Sequence, residues 1–196
     1  MADRTVSKKL LVAAGRGEIE EVGHMLAIGA DANVADSDNL TAIHLASYAG
    51  HIDVVKALHQ AGASVNVSNG SGYTPLMAAS REGRTEIVKL LLSYGADVNA
   101  RTTSGDTALR LASSYAPGID ELKILIAAGA SINFSNESGM TPLMSASYRG
   151  AIDKVKLLVE GGANIHAVDA KGRTAQSIAV DRGKADVVEC LAMQLK

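Results

Sequence analysis

The side chains able to bind a metal or act in catalysis are sparse and scattered along the chain. Its five histidines are His24, His44, His51, His59 and His166. No two of them are four residues apart, the spacing that places two histidines on one helix face for metal binding. The sequence therefore predicts neither a metal site nor a bound cofactor.

Cys190, the only cysteine, lies in the segment VVECLAM with apolar residues in both directions. This setting predicts a buried packing side chain, because a nucleophilic thiolate needs a cationic or histidine neighbour. The glycine-rich segment GSGYT does not match the G-x-x-x-x-G-K-[ST] pattern of a phosphate-binding loop. Neither nucleophilic catalysis nor nucleotide binding is predicted.

Carboxylates recur three positions before a lysine. The four pairs are Asp53 with Lys56, Glu86 with Lys89, Asp120 with Lys123, and Asp153 with Lys156. On a helix this spacing places the two charges side by side. The pattern predicts ion pairs on a solvated helix face rather than paired catalytic carboxylates, and no enzymatic activity is expected.

The elements that carry these residues follow from an internal repeat. The segments TAIHLA, TPLMAA, TALRLA, TPLMSA and TAQSIA recur at spacings of 33, 33, 34 and 33 residues, from Thr41, Thr74, Thr107, Thr141 and Thr174. A second phrase keeps the same register: GADAN, GASVN, GADVN, GASIN and GANIH, from Gly29, Gly62, Gly95, Gly129 and Gly162. Two phrases in constant register indicate stacked structural units.

Each unit is predicted to form two short helices. Threonine is a good helix N-cap and proline fits the first helical position, as at Pro75 and Pro142, so a helix begins after each threonine. A glycine about nine residues later, such as Gly50 or Gly150, ends that helix. An apolar segment with helical periodicity follows and stops at the next glycine.

These phrases resemble the ankyrin family, whose unit of about 33 residues carries a T-P-L-H-x-A signature. The resemblance covers nearly the whole chain and implies an all-α ankyrin-repeat solenoid, one domain of six helix-turn-helix units with short β-turn fingers. The units span 1–35, 36–68, 69–101, 102–135, 136–168 and 169–196, the first and last being cap repeats. The signature histidine remains only at His44, and the fourth unit has an extra residue near Pro117. This insertion is interpreted as a longer turn between helices, with a dedicated contact loop as the alternative.

Composition limits the classes of partner. Nineteen basic and 21 acidic residues give a net charge of −2 without runs of like charge, which disfavours nucleic acid and anionic membranes as partners. No apolar run is long enough for membrane insertion, and the amino terminus lacks a signal-peptide core. We expect a soluble cytoplasmic protein, with secretion into a host as an effector left open.

The resemblance implies that a partner protein binds the concave face, which finger tips and first helices line. The residues just before the threonines are then the tips: Leu40, Tyr73, Asp106, Met140 and Arg173. The late positions of the first helices are Tyr48, Arg81, Tyr115, Tyr148 and Asp181, with Arg149 and Arg182 next to the last two. Tyrosine and arginine are frequent anchors of interfaces, which favours a binding role over gap filling between helices.

Charge is distributed unevenly along the repeats. Asp36 and Asp38 lie near the amino-terminal end, whereas the last two units hold Arg149, Lys171, Arg173 and Arg182. This predicts a partner with an acidic patch that faces repeats five and six. The predicted function is a monomeric, non-catalytic adaptor, inhibitor or effector that binds another protein. The alternative is a structural or self-assembling scaffold component.

Overall fold

The computed structural model describes residues 2–194, with side chains from Val6 onward. This part of the chain forms twelve α-helices and one isolated antiparallel bridge, between Ala35 and Thr41. The all-α repeat fold is therefore confirmed. The chain divides into two compact units, Met1–Asp97 and Val98–Lys196. Its organisation as a single domain stays a prediction.

Three repeats make up the first unit. Its helices are α1 (Ala2–Arg16), α2 (Ile19–Ala27), α3 (Ala42–Ala49), α4 (Ile52–Gln60), α5 (Pro75–Arg81) and α6 (Thr85–Ser93). The first helices of the repeats, α1, α3 and α5, pack on one another as an inner layer. The second helices form an outer layer, and each also packs on the inner helix of its own repeat.

The second unit follows the same plan. Its helices are α7 (Ala108–Tyr115), α8 (Asp120–Ala127), α9 (Pro142–Arg149), α10 (Ile152–Glu160), α11 (Ala175–Asp181) and α12 (Ala185–Met193). The inner helices α7, α9 and α11 pack in sequence, and each contacts the outer helix that follows it.

The repeated threonines begin the inner helices as predicted. The hydroxyl oxygens of Thr74, Thr107, Thr141 and Thr174 accept a hydrogen bond from the backbone N–H of the third helical residue, at 3.2–3.3 Å. The hydroxyl of Thr41 instead lies 2.9 Å from Nδ1 of His44. Each bond or contact fixes the start of a helix only seven or eight residues long.

Small side chains fill the contact between neighbouring inner helices. Ala46, Ala79, Ala112, Ala146 and Ala179 share one repeat position and are fully buried. The next position holds the fully buried serines Ser47, Ser80, Ser113 and Ser147. Ser113 donates a hydrogen bond to the carbonyl oxygen of Leu109 at 2.7 Å. Among the residues described, the hydroxyls of Ser47, Ser80 and Ser147 have no hydrogen-bond partner.

Asparagines join the turns of neighbouring repeats. The Nδ2 of Asn133 donates to the carbonyl oxygen of Gly162 at 3.2 Å, and its Oδ1 accepts from the backbone N–H of Asn164 at 2.7 Å. The same two bonds recur at Asn33, Asn66 and Asn99. One repeated side chain therefore bonds each of these turns to the next one.

Candidate protein-binding surface

The last turns of the inner helices carry aromatic and charged side chains at the surface. Tyr48 of α3 and Tyr115 of α7 are about half exposed, at 49% and 47%. Arg149, at the end of α9, and Arg182, just after α11, are exposed as well, whereas Tyr148 is half-buried. Since earlier positions of these helices are buried between repeats, the last turn is where an inner helix can meet a partner.

In the second unit, two arginines lie over tyrosines of the preceding repeat. The guanidinium carbon of Arg149 is 4.8 Å from the ring centroid of Tyr115, and that of Arg182 is 3.9 Å from the centroid of Tyr148. Arg149 also lies 5.9 Å from the Tyr148 centroid. We call Tyr115, Tyr148, Arg149 and Arg182 the arginine–tyrosine ladder. Each cation–π contact contributes about 0.5–1 kcal/mol and restrains its guanidinium group.

Among the side chains that the structure describes, no carboxylate neutralises the arginines of this ladder. Nε of Arg149 donates to the hydroxyl of Ser114 at 3.3 Å. Within residues 2–194, neither Arg149 nor Arg182 forms an ion pair with an aspartate or glutamate. The ladder is therefore a basic and aromatic surface whose charge is available to a partner.

Arg173 is different, because its charge is balanced inside the protein. Its Nε and Nη2 atoms donate to Oδ2 of Asp169 at 2.9 and 2.8 Å, and Nη1 lies 3.8 Å from Asp181. Burial alone would raise the pKa of Asp169. Hydrogen bonds from Arg173 and from the backbone N–H of Lys171 outweigh burial and hold that pKa below its usual value.

Asp106 is likewise engaged within the protein. Its carboxylate pairs with the guanidinium group of Arg110 and accepts a hydrogen bond of 2.8 Å from Nδ2 of Asn136. Arg110 stands where the ankyrin signature has histidine. The ion pair therefore occupies the position that His44 holds in the second repeat.

The residues before the threonines lie behind the finger tips, not at them. Each exchanges two hydrogen bonds with the residue four positions earlier, as Leu40 does with Asp36 and Met140 with Asn136. All five are half-buried: Leu40, Tyr73, Asp106, Met140 and Arg173. The prediction that Leu40 and Met140 lie at the tips is therefore wrong, because both are held at the base of a closed loop.

The exposed tip residues lie two positions earlier than predicted. They are Asp38, Ser71, Ser104, Ser138 and Lys171. Neighbouring tips are joined through the backbone, as where the N–H of Ala170 donates to the carbonyl oxygen of Ser138 at 2.9 Å. The sequence contains a signal for these tips, because an aspartate, asparagine or threonine begins each turn. It lies three residues before a residue with positive φ, and these residues are Asn39, Gly72, Gly105, Gly139 and Gly172.

Tyr73 supports the fold instead of facing a partner freely. Its hydroxyl donates to the carbonyl oxygen of Met77 at 3.3 Å. Its own carbonyl oxygen accepts a hydrogen bond of 2.9 Å from Nε2 of His44. Burial raises the pKa of the Tyr73 hydroxyl to about 12. Tyr73, one of the four tyrosines predicted to contact a partner, therefore has a structural role.

His44 connects its own repeat to the next one. Nδ1 accepts from the backbone N–H of Thr41 at 3.3 Å, and Nε2 donates to Tyr73, which assigns the proton to Nε2. Burial lowers the pKa of His44, so the ring is neutral near pH 7. The single signature histidine thus makes a polar bridge between two repeats.

Lys154 is an important residue that the sequence interpretation missed. Its side chain is buried, and Nζ donates to the carbonyl oxygens of Ala112 and Ala116 at the end of α7. Burial lowers the pKa of Lys154, and the buried carboxylate of Glu121 partly offsets that effect. The extra residue of the fourth repeat lies in the turn between α7 and α8, and a lysine of the fifth repeat holds the start of that turn.

The other side chains considered for catalysis or metal binding are the carboxylates of the outer helices, Cys190 and the histidines. Three predicted ion pairs form on the outer helices, at 3.6 Å for Asp53–Lys56, 2.7 Å for Glu86–Lys89 and 3.9 Å for Asp120–Lys123. Cys190 is half-buried in α12 and lines an open groove, so it is less buried than expected. In the described chain no three histidine, cysteine or carboxylate side chains gather as metal ligands.

Within residues 2–194, every helix is too short or too polar to cross a lipid bilayer.

Comparisons with known proteins agree with the repeat architecture. A family profile described as ankyrin repeats, three copies, matches residues 10–102 and again residues 109–195. No curated protein sequence matches the chain at a significant level. The chain is similar in structure to a chain of a solved complex from Bdellovibrio bacteriovorus, a predatory endopeptidase with an immunity protein. The TM-score is 0.86 and the identity 26%, over 95% of this chain and 97% of that chain.

Proposed function

The chain belongs to the ankyrin-repeat family, and on this basis we propose that it is a non-catalytic protein that binds the surface of another protein. More specifically, it acts as an inhibitor that occupies an enzyme, with a peptidase as the class of partner. The observation that carries this proposal is the likeness to one chain of the solved complex of an immunity protein and an endopeptidase. The likeness extends over nearly the full length of this chain and of that chain.

The exposed ends of the inner helices form the proposed contact surface. In the first unit Tyr48 and Arg81 contribute, and in the second unit the arginine–tyrosine ladder does. Large, stiff aromatic side chains bury much area at modest entropy cost, which makes them effective anchors. The partner presents an acidic patch to repeats five and six, and this protein acts as a monomer in the cytoplasm.

The test is an inhibition assay on captured partners. The purified chain is immobilised, incubated with extract of its source cells, and the eluted proteins are assayed for peptidase activity against a general protein substrate. We expect a captured peptidase whose activity disappears as one equivalent of the chain is added. A captured peptidase that stays fully active would contradict inhibition and leave an adaptor role.

A variant series connects the result to the proposed surface. Tyr48→Ala, Tyr115→Ala and Tyr148→Ala are combined, because these side chains lie in the last turns of inner helices, on the proposed contact surface. Tyr94→Ala is the control, because Tyr94 follows the outer helix α6 and is not part of the proposed surface. Its ring stacks on that of His59, with 3.7 Å between the centroids. Circular dichroism checks that both variants fold. The triple variant should lose inhibition and the control should keep it.

Gel filtration at two protein concentrations tests the monomeric state. A single elution volume at both concentrations is expected. A shift to larger size at the higher concentration would instead favour a self-assembling scaffold component.

A further inference from the structure

We propose that the arginine–tyrosine ladder binds an extended acidic segment of the partner, with one carboxylate on each arginine. This inference rests on the proposed function, since it names the chemistry of the bound partner. It concerns the second unit alone, where all four ladder residues lie.

The first support is the number of donors that the two guanidinium groups leave open. Among the residues described, the Arg182 side chain has no hydrogen-bond acceptor, and Arg149 uses only Nε, on the Ser114 hydroxyl. Arg173, in contrast, is bound through two nitrogens to Asp169. The planar edge of a guanidinium group fits a carboxylate with two parallel hydrogen bonds.

The second support is that the arginines are already held in place. Each guanidinium group stacks on a tyrosine ring, which restrains its long side chain while its edge remains open. Binding a carboxylate therefore costs less side-chain entropy than it would on a free surface arginine. Asp181, the residue before Arg182 in sequence, has an exposed carboxylate. That carboxylate lies 3.8 Å from Nη1 of Arg173 and pairs with Arg173, not with an arginine of the ladder.

The third support is the spacing of the two charges. The Cζ atoms of Arg149 and Arg182 lie 5.9 and 3.9 Å from the same Tyr148 centroid, so they are less than about 10 Å apart. A polyproline II segment has three residues per turn and rises about 3.1 Å per residue. Side chains at i and i+3 of such a segment share a face about 9 Å apart. This spacing lies within that limit, so we expect a ligand with Glu-x-x-Glu or an equivalent pair of aspartates to reach both arginines.

The experiment uses fluorescein-labelled, proline-rich peptides and the full chain. One peptide has two glutamates at i and i+3, a second has them adjacent, and a third has glutamines at i and i+3. Fluorescence anisotropy gives the Kd of each peptide at low and at high salt. We expect the i, i+3 glutamate peptide to bind about tenfold more tightly than the glutamine peptide, and salt to weaken that preference.

Two double variants locate the binding site. Arg149→Gln with Arg182→Gln removes the ladder charges and should abolish the preference for glutamate. Lys123→Gln with Lys156→Gln removes the same charge from exposed lysines on the outer helices of the same unit and should leave the preference unchanged. Thermal unfolding of both variants checks that they remain folded.

Three results would overturn the inference. They are equal binding of the glutamate and glutamine peptides, unchanged binding by the arginine double variant, and no binding of any peptide by the wild-type chain. None of them bears on whether a captured peptidase is inhibited, so the proposed function and this inference fail separately. Equal affinity for the adjacent and the i, i+3 glutamates would overturn the proposed spacing.

Discussion

The Nζ atom of Lys154 donates a hydrogen bond of 2.8 Å to the carbonyl oxygen of Ala112, across the boundary between two repeats. At the corresponding end of α9, Gly150 adopts the left-handed conformation, with φ of 73°, and closes the helix itself. Helix α7 has no such glycine, because Ala116 occupies that place with an extended backbone. A long basic side chain from the next repeat thus satisfies carbonyl groups that a glycine turn would otherwise serve.

Replacing Lys154 by methionine should destabilise the protein. The change keeps the side-chain length but leaves the carbonyl group of Ala116 without this donor and that of Ala112 with the Ala116 N–H alone. It also removes the cation near the buried Glu121. We expect the free energy of unfolding to fall by about 2–4 kcal/mol. Urea denaturation followed by circular dichroism measures it. Lys156→Met, at an exposed position of the same helix, is the control and should stay within about 0.5 kcal/mol of wild type.

Stability should depend on pH through His44. Because burial lowers its pKa below the ordinary 6.5, the unfolded chain holds more protons than the folded one as pH falls below about 6.5. The His44 contribution is therefore complete above that pH and decreases below it, by at most about 1.4 kcal/mol per pH unit. Urea midpoints at pH 7.5 and 5.5 should differ more for wild type than for His44→Gln. His166→Gln, at an exposed histidine, should behave as wild type, and an equal pH response of all three would contradict the assignment.

The buried hydroxyl of Ser147 should lower stability, since it has lost water without gaining a partner among the described residues. Ser147→Ala is expected to raise the free energy of unfolding by about 0.5–1 kcal/mol, helped by the better helix propensity of alanine. Ser113→Ala is the matched control, because that hydroxyl donates to Leu109 at 2.7 Å. Differential scanning calorimetry should show a higher Tm only for the Ser147 variant. Equal shifts in both would mean that propensity, not the missing partner, decides the effect.

The asparagine bonds between turns can be separated into donor and acceptor parts at Asn133. Asn133→Ala removes the bond to Gly162 and the bond from Asn164, at an expected cost of about 1–2 kcal/mol. Asn133→Asp keeps an acceptor for the Asn164 N–H but loses the donor. Its denaturation midpoint should therefore lie between those of wild type and the alanine variant. An aspartate variant as unstable as the alanine variant would show that the donor to Gly162 carries the effect.

Much of the fold could be predicted because its signals are local. The N-cap at Thr141 and the turn at Gly150 each act through neighbours within a few residues, so the residue types alone place the helix ends. The repeat period also explains the pairing of Asn133 with the following turn, since the same position holds asparagine in four units.

The details that were missed depend on contacts between distant residues or on loop geometry. Lys154 resembles any surface lysine in the sequence, and only the fold brings it 38 residues back to Ala116. Leu40 was placed at a tip because it precedes a threonine. Asp36 and Leu40 are hydrogen-bonded to each other and close a five-residue loop, so the tip of the finger is Asp38. The ladder residues were named from the sequence, but the stacking of Arg182 on Tyr148 could not be, because it depends on how successive helices pack.

The asparagine bonds are the same from one repeat to the next, and this has an evolutionary consequence. Each asparagine bonds to a glycine carbonyl 29 or 30 residues later and to a backbone N–H two residues beyond that glycine. A duplicated segment of about 33 residues brings its own asparagine and glycine, so it fits between existing neighbours without compensating substitutions. Gene duplication or deletion of one unit can therefore change the length of the array in a single step, while the residues at the helix ends diverge to suit a new partner.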